Sequence, residues 1–240
     1  MNPMVALARR LRSRLFGEGW GQAGLLARLL CPSDLPPVNP IETSPRIAPQ
    51  SMKDLRPDWI AILERIPGSG LKGSGFPCNV LGEIMHNPDT MGPFLDYWVT
   101  CKSKMGLTVR EQELVILRMA CLYRSDYVWK HHVPVGREFG IDDHELQAVR
   151  QGRYETTFNQ RETSLLYLTD EMVNQRTVSP STWAGYRSCL RDQELVDLIH
   201  LVSQYVFFAL MNNTMQVQIE VPLQAIPGLA DPLPQLSPES

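Results

Sequence analysis

Apolar residues recur at helical spacing through most of the chain, and this pattern predicts an all-α fold. From Thr108 to Gly140 the pattern predicts two helices that meet at a tight polar corner at residues 124–126. Further helices are predicted over residues 57–66, 80–85, 88–105, 142–150, 161–175, 179–186 and 192–212. The alternating stretch at residues 217–221 is too short to build a sheet.

Polar residues at the helix ends support these boundaries. Thr108 and Glu111 have the spacing of a capping box, in which each side chain accepts a hydrogen bond from the other residue's backbone N–H. The first helix of the central pair therefore begins at Thr108. Asp142 and Glu145 repeat this spacing at the start of a later helix. Gly140 suits the left-handed stop that ends the second helix of the pair.

One charged residue interrupts the apolar side of the first helix. On a helical wheel, Glu113 falls within the apolar arc, whereas Glu111 and Arg118 lie on the opposite side. Because a carboxylate on a buried face must be paired, hydrogen-bonded or neutralised, Glu113 needs a partner. Two interpretations remain open. An arginine locks Glu113 between helices, or an imidazole of the pair His131-His132 on the second helix meets it.

Both ends of the chain differ from its helical middle, and we expect three regions. Residues 1–50 combine an arginine-rich amphipathic helix with a proline-rich arm, residues 51–225 form the helical domain, and residues 226–240 form a proline-rich tail. We interpret the basic helix first as an arm that lies on a partner subunit or on the protein's own body. A membrane-surface contact and an organelle-targeting segment remain open.

The composition indicates a globular protein and argues against nucleic-acid binding, a membrane span and a zinc site. The 240-residue chain is 43% hydrophobic and 20% charged, which is ordinary for a globular protein with a large core. Its net charge of −3 gives no electrostatic reason to expect nucleic acid. Polar residues interrupt the apolar stretch 195–211, so we expect a buried helix and no membrane span. Five scattered cysteines indicate a reducing, cytoplasmic compartment, and no zinc-site spacing is present.

A glycine-rich stretch at residues 67–77 formally matches the G-x-G-x-x-G pattern of phosphate-binding loops. A helix-like segment precedes it where such a loop requires a strand, and Pro77 follows within the next turn. We therefore expect a flexible loop that is able to cover a pocket.

The stretch LTVREQELVILRMACLYRSDYVWKHHVPVGREFGI resembles the carboxymuconolactone decarboxylase family, which includes the AhpD-type alkylhydroperoxidases. The resemblance covers residues 45–225 and implies an AhpD-like helical bundle. In the peroxidase branch a glutamate is followed by C-x-x-C and, four residues after the second cysteine, by a histidine. Glu113 and His132 occupy the glutamate and histidine positions. Ser125 and Val128 occupy the cysteine positions, so thiol peroxidase activity is not expected.

The decarboxylase branch uses no cysteine, metal or organic cofactor, and the resemblance implies acid–base chemistry on the same helix pair. We expect a cofactor-independent enzyme, a lyase or hydrolase, that acts on a small carboxylate or carbonyl metabolite by decarboxylation, lactone opening or isomerisation. His132 is the expected general base or acid, with Glu113 orienting it and stabilising the imidazolium. The candidate substrate contacts are Ser125, Tyr127, Trp129, Lys130, His131 and Tyr205.

A non-catalytic binding or accessory protein on the same oligomeric scaffold is the alternative. The absent cysteine pair and the long N-terminal arm favour it, as does Val128, where related sequences often carry glutamate. In either case the apolar helices predict a homo-oligomer, for which the resemblance implies a dimer, trimer or hexamer. No motif specifies the substrate, the reaction or the pathway.

Overall fold

The computed structural model describes residues 44–50, 56–64 and 79–220, and within these ranges it contains helices and no strand. The prediction of an all-α fold is therefore confirmed. In chain order the helices are α1 (Pro57–Glu64), α2 (Asn79–Ile84), α3 (Pro88–Lys104), α4 (Val109–Leu122), α5 (Asp126–Glu138), α6 (Asp143–Gln151), α7 (Gln160–Gln175), α8 (Pro180–Tyr186) and α9 (Asp192–Met215).

Several features predicted from the sequence lie outside the described residues. They are the arginine-rich helix, most of the proline-rich arm, the glycine-rich loop at residues 67–77 and the C-terminal tail. The division of the chain at residues 50 and 225 stays a prediction.

Helix α4 is the centre of the domain, and α5, α6, α7 and α9 pack around it. Every residue of α4 from Glu111 to Cys121 is buried. A second apolar cluster, which includes Val80, Leu95 and Phe208, lies where α2, α3 and α9 meet. The helix at the centre of the fold is thus the one that carries Glu113.

Short sequence motifs set the starts of α4 and α6 and the end of α5. Both predicted capping boxes are present: Thr108 with Glu111 at the start of α4, and Asp142 with Glu145 at the start of α6. Each box satisfies backbone N–H groups that a helix start leaves without partners. Gly140 adopts a left-handed conformation, with φ of 82°, as predicted for the residue that ends α5.

The side of α4 opposite Glu113 is also covered by the rest of the protein. Glu111 and Arg118 are each only 5% exposed, because α6 and α7 cover that side. Arg118 donates through Nε to Asp170 (2.5 Å) and through a terminal nitrogen to the carbonyl of Val149 (2.9 Å). Glu111 accepts from Arg161 (2.5 Å). Ion pairs with α7 thus hold the polar residues on the far side of α4.

Helix α9 contains a long apolar stretch. By length and composition alone it could cross a membrane, and it is the one described helix that passes this test. Half of its most apolar 18-residue window (50%) is buried within the structure. It packs on α3, α4 and α5, which is the arrangement expected of a core helix.

The start of α9 is fixed by a buried carboxylate. Glu194 is 4% exposed and accepts hydrogen bonds from the guanidinium groups of Arg161 (3.1 Å) and Arg191 (2.9 Å). Burial by itself would raise the pKa of the Glu194 carboxyl. The hydrogen bonds from the two arginines outweigh this effect and lower the pKa from 4.5 to about 2.

This pKa shift predicts how stability depends on pH. The unfolded chain takes up the Glu194 proton near pH 4.5 and the folded protein only near pH 2, so the stabilisation is complete above that window and is lost as the pH falls through it. We expect Glu194→Gln to be less stable than wild type at neutral pH and to lose less free energy of unfolding on acidification. Urea unfolding at a series of pH values measures both effects. Glu138→Gln, at an exposed glutamate of α5, is the matched control. Equal acid sensitivity of wild type and Glu194→Gln would contradict the assignment.

Candidate functional site

A carboxylate–imidazole pair joins the two central helices. His132 Nδ1 on α5 lies 2.6 Å from Glu113 Oε2 on α4. The Glu113 side chain is only 2% exposed, and its other oxygen accepts from Lys102 Nζ of α3 at 3.3 Å. Of the two interpretations left open by the sequence, the imidazole is the partner that the structure shows. No arginine pairs with Glu113 in the described part of the chain.

Tight packing of α4 on α5 makes this contact short. The corner between the helices is closed by a hydrogen bond from the Ser125 backbone N–H to the carbonyl of Ala120 (2.8 Å). Gly136 on α5 faces Leu117, and a Cβ at that position would stand 3.3 Å from the Leu117 Cδ1 atom. Because only a hydrogen occupies this space, the two helices approach closely along the length that includes Glu113 and His132.

The electrostatics favour a charged Glu113. Burial by itself would raise the pKa of the Glu113 carboxyl, but the charge and hydrogen bond of His132, together with Lys102, lower the pKa below its usual value. The ionised carboxylate accepts the Nδ1–H of His132. This places the lone pair of a neutral His132 ring on Nε2 and stabilises the imidazolium when Nε2 takes up a proton.

The second nitrogen of His132 also has a partner. The Tyr205 hydroxyl of α9 lies 3.2 Å from His132 Nε2, and the two rings meet edge to face with centroids 5.3 Å apart. Tyr205 is 2% exposed. Glu113, His132 and Tyr205 therefore form a continuous chain of carboxylate, imidazole and phenol across three helices.

A second carboxylate–imidazole pair lies beside the first. His131 Nε2 is 2.6 Å from Glu220 Oε2, and the Tyr127 hydroxyl donates to Glu220 Oε1 at 2.7 Å. The rings of Tyr127 and His131 are stacked with centroids 4.4 Å apart. Sequence reasoning missed Glu220, which lies 89 residues from His131 in a short alternating stretch that no motif distinguishes.

The two pairs border a common cavity of about 100 Å³. Its lining is mostly aromatic and aliphatic, and consists of Val80, Leu81, Trp98, Tyr127, Val128, His131, His132, Tyr205, Phe208 and Asn212. Trp98 and Asn212 were also missed by the sequence reasoning. Within the described residues, neither the Trp98 indole nitrogen nor the Asn212 amide oxygen has a hydrogen-bond partner. Both polar atoms are buried, and both residues line a cavity whose lining is otherwise largely apolar.

The predicted site residues fall into two groups. The structure brings Glu113, His131, His132, Tyr127 and Tyr205 together at or directly behind the cavity.

Three other candidates do not line the cavity, and they are Ser125, Trp129 and Lys130. Ser125 is fully buried at the start of α5. Trp129 is 3% exposed within the main core, and the guanidinium of Arg150 lies over its ring at 5.5 Å. A role in substrate contact for these three residues stays a prediction.

The described residues offer little for thiol or metal chemistry. Cys121 is 3% exposed on α4, and burial raises the pKa of its thiol to about 12, which keeps it protonated and weakly nucleophilic. Among the described residues no group of three His, Cys, Asp or Glu side chains is placed to hold a metal ion.

Part of the chain matches the model of a known protein family. Residues 88–171 match the model of the carboxymuconolactone decarboxylase family. This match over about a third of the chain, together with AhpD-like solved structures, supports the likeness to the carboxymuconolactone decarboxylase/AhpD-like family that the central stretch predicted. No functionally curated protein matches the chain in sequence.

Solved structures with this fold include proteins of different chemistry. The AhpD core of an uncharacterised peroxidase-related protein from Ralstonia eutropha is 18% identical, with a TM-score of 0.65 over 82% of this chain and 100% of that one. A variant of the debrominase Bmp8 in complex with 2,3,4-tribromopyrrole is 13% identical, with a TM-score of 0.63 over 75% of this chain and 94% of that one. At these identities the likeness shows a shared fold alone.

The burial of Glu113 leads to a prediction about stability. His132→Ala leaves the carboxylate with Lys102 alone, and we expect it to lower the free energy of unfolding by about 3 kcal/mol, as for a broken buried pair. Glu113→Gln in the same background removes the buried charge and restores part of the loss. Urea unfolding of wild type, both single variants and the double variant measures the coupling. His144→Ala, at an exposed histidine of α6, is the control. Strictly additive losses in this cycle would argue against the pairing.

Proposed function

We propose that this protein is a cofactor-independent acid–base enzyme that acts on a small carboxylate or carbonyl metabolite. The observation that carries the proposal is the 2.6 Å contact between buried Glu113 and His132 at the wall of a cavity. A histidine acts as a general base when its protonated form is stabilised. The buried carboxylate of Glu113 stabilises the protonated form of His132. Isomerisation and decarboxylation each need a proton transfer at a carbon near a carbonyl, and lactone opening needs a base that takes a proton from water; such a pair can serve each of these transfers.

The size and lining of the cavity support a small, flat substrate. Its volume of about 100 Å³ is of the same order as the cavity of about 150 Å³ that admits benzene in an engineered protein, so a single small ring or a short acid is the size of ligand expected. The aromatic rings of Trp98, Tyr127, Tyr205 and Phe208 provide flat apolar contact. The debrominase that shares the fold binds a substituted five-membered ring, which is compatible with a ligand of this shape.

Thiol peroxidase activity is not part of the proposal. The family's two cysteine positions hold Ser125 and Val128, so a peroxide would meet neither a nucleophilic thiol nor a second thiol that could form the disulfide. The nearest cysteine in sequence, Cys121, is buried on α4 and lies outside the cavity lining.

A small unsaturated lactone provides a direct assay. α-Angelica lactone becomes its conjugated isomer when a proton leaves the carbon beside the carbonyl and another arrives at the γ carbon, and ¹H NMR follows this change. We expect wild type to accelerate it over buffer, and His132→Gln and Glu113→Gln each to lose at least about tenfold of that rate, the lower range for general acid–base catalysis. His144→Gln, at the exposed histidine of α6, should retain the wild-type rate. A wild type that is no faster than buffer would refute the proposal.

A non-catalytic binding or accessory protein is the second candidate. One observation favours it: both ring nitrogens of His132 are already engaged, by Glu113 and by Tyr205. In this case the imidazole completes a structural network. Variants at His132 would then lower stability without changing any rate in the lactone assay, whereas the enzymatic proposal requires loss of rate in variants that remain folded.

The proposal includes self-association of the protein. Three large apolar side chains on one face of α9 are about half exposed: Val196 at 52%, Ile199 at 50% and Leu210 at 53%. An isologous contact brings the same face of two copies together, so a second copy is the partner that such a face fits most simply.

A charge within this apolar face tests the association. We expect Ile199→Glu to lower the molar mass measured by light scattering, because association would bury an unpaired carboxylate. Val109→Glu, at an apolar residue of α4 that is 40% exposed, is the matched control and should leave the mass unchanged. An Ile199→Glu variant with the wild-type mass would exclude this face as the contact.

A further inference from the structure

His131 differs from His132 in one respect that bears on proton transfer. His131 Nε2 contacts Glu220, and within the described residues no group hydrogen-bonds to its Nδ1. His132 is engaged at both nitrogens. Both rings line the cavity. Of the four imidazole nitrogens there, His131 Nδ1 is therefore the one that the described structure leaves available.

Glu220 is a firmly held partner for His131. The same carboxylate accepts from the Tyr127 hydroxyl and from the backbone N–H of Asn79 at the start of α2. Tyr127 in turn accepts from the backbone N–H of Val80 at 3.1 Å. Burial would raise the pKa of the Glu220 carboxyl, but the hydrogen bond and charge of His131, with the other donors, lower it.

This arrangement determines which nitrogen of His131 can act as a base. An ionised Glu220 accepts the Nε2–H, so the lone pair of the neutral ring lies on Nδ1. Tyr127, stacked on the ring at 4.4 Å, restricts its rotation. Among the described residues, Glu220 and Tyr127 are the titratable groups in contact with His131, and His132 lies beside it on the cavity wall.

We propose that His131, positioned by Glu220, is a second proton-transfer residue of this cavity, and that the two histidines move a proton between two carbons of an unsaturated carbonyl compound. This inference rests on the proposed acid–base function and narrows it to an isomerisation. The cavity thus has one carboxylate–imidazole pair for removing the proton and another for returning it.

The proton transfer is balanced without a further reactant. His131 Nδ1 takes the proton from the carbon beside the carbonyl, and the C–H electron pair becomes part of the enolate. The imidazolium of His132 gives a proton to the γ carbon through Nε2 and the Tyr205 hydroxyl bonded to it, and the enolate pair forms the new C–H bond. Exchange of protons with water restores the starting charges of both rings.

Two rate measurements on α-angelica lactone test the assignment. We expect His131→Gln to lose at least about tenfold of the isomerisation rate while remaining folded by circular dichroism. We expect Glu220→Gln to move the acid limb of the pH–rate profile to lower pH by about one unit, because loss of the neighbouring negative charge disfavours the imidazolium. A purely structural role for Glu220 would leave the position of that limb unchanged. Glu220→Asp, which keeps the charge, should restore the limb.

The tautomer of His131 provides a readout that needs no substrate. Two-bond ¹H–¹⁵N correlation spectra of wild type at a pH where the ring is neutral should show the lone pair of His131 on Nδ1, and the lone pair on Nε2 would overturn the proposal. A His131→Gln variant with the wild-type rate, when His132→Gln is inactive, would also overturn it and would leave the proposed function intact. Wild-type protein without isomerase activity would overturn both the proposed acid–base function and the role of His131.

Discussion

The structure depends on a carboxylate that must be satisfied away from water. Glu113 lies at 2% exposure within the part of α4 that is buried, from Glu111 to Cys121, and an isolated charge in that position costs several kcal/mol. The neighbouring helices meet this cost with two hydrogen-bond donors from different directions, Lys102 from α3 and His132 from α5. Glu113 thus links α3, α4 and α5 beside the cavity.

Other buried charges of α4 also have partners. Ion pairs therefore accompany the apolar contacts between α4 and its neighbours. Arg118 is matched by Asp170 and Glu111 by Arg161, both across the interface with α7. Pairs of this kind add little net stability compared with apolar residues of the same shape, but each is costly to break on one side. Both pairs join α4 to α7, whereas Glu113 meets His132 across the interface of α4 with α5.

Proteins that share this fold differ in their chemistry, and the site of this chain has residues of its own. Among solved structures with this fold are a peroxidase-related protein and a debrominase, and the scaffold alone specifies neither activity. At the positions where the resemblance places the family's two cysteines, this chain has Ser125 and Val128. Two carboxylate–imidazole pairs border the cavity instead, and only one of them lies at positions that the family motif describes.

Local sequence determined the helices, their starts at Thr108 and Asp142, and the need of Glu113 for a partner, because periodicity and capping act over only a few residues. The motif also singled out His132 as the residue to meet it. Tertiary structure alone decided that Arg118 and Glu111 are buried, since their helical face is covered by segments about 50 residues away. It also brought Tyr205 and Glu220 to the histidines across 73 and 89 residues. Contacts over such distances arise from the packing of whole helices, which no local pattern encodes.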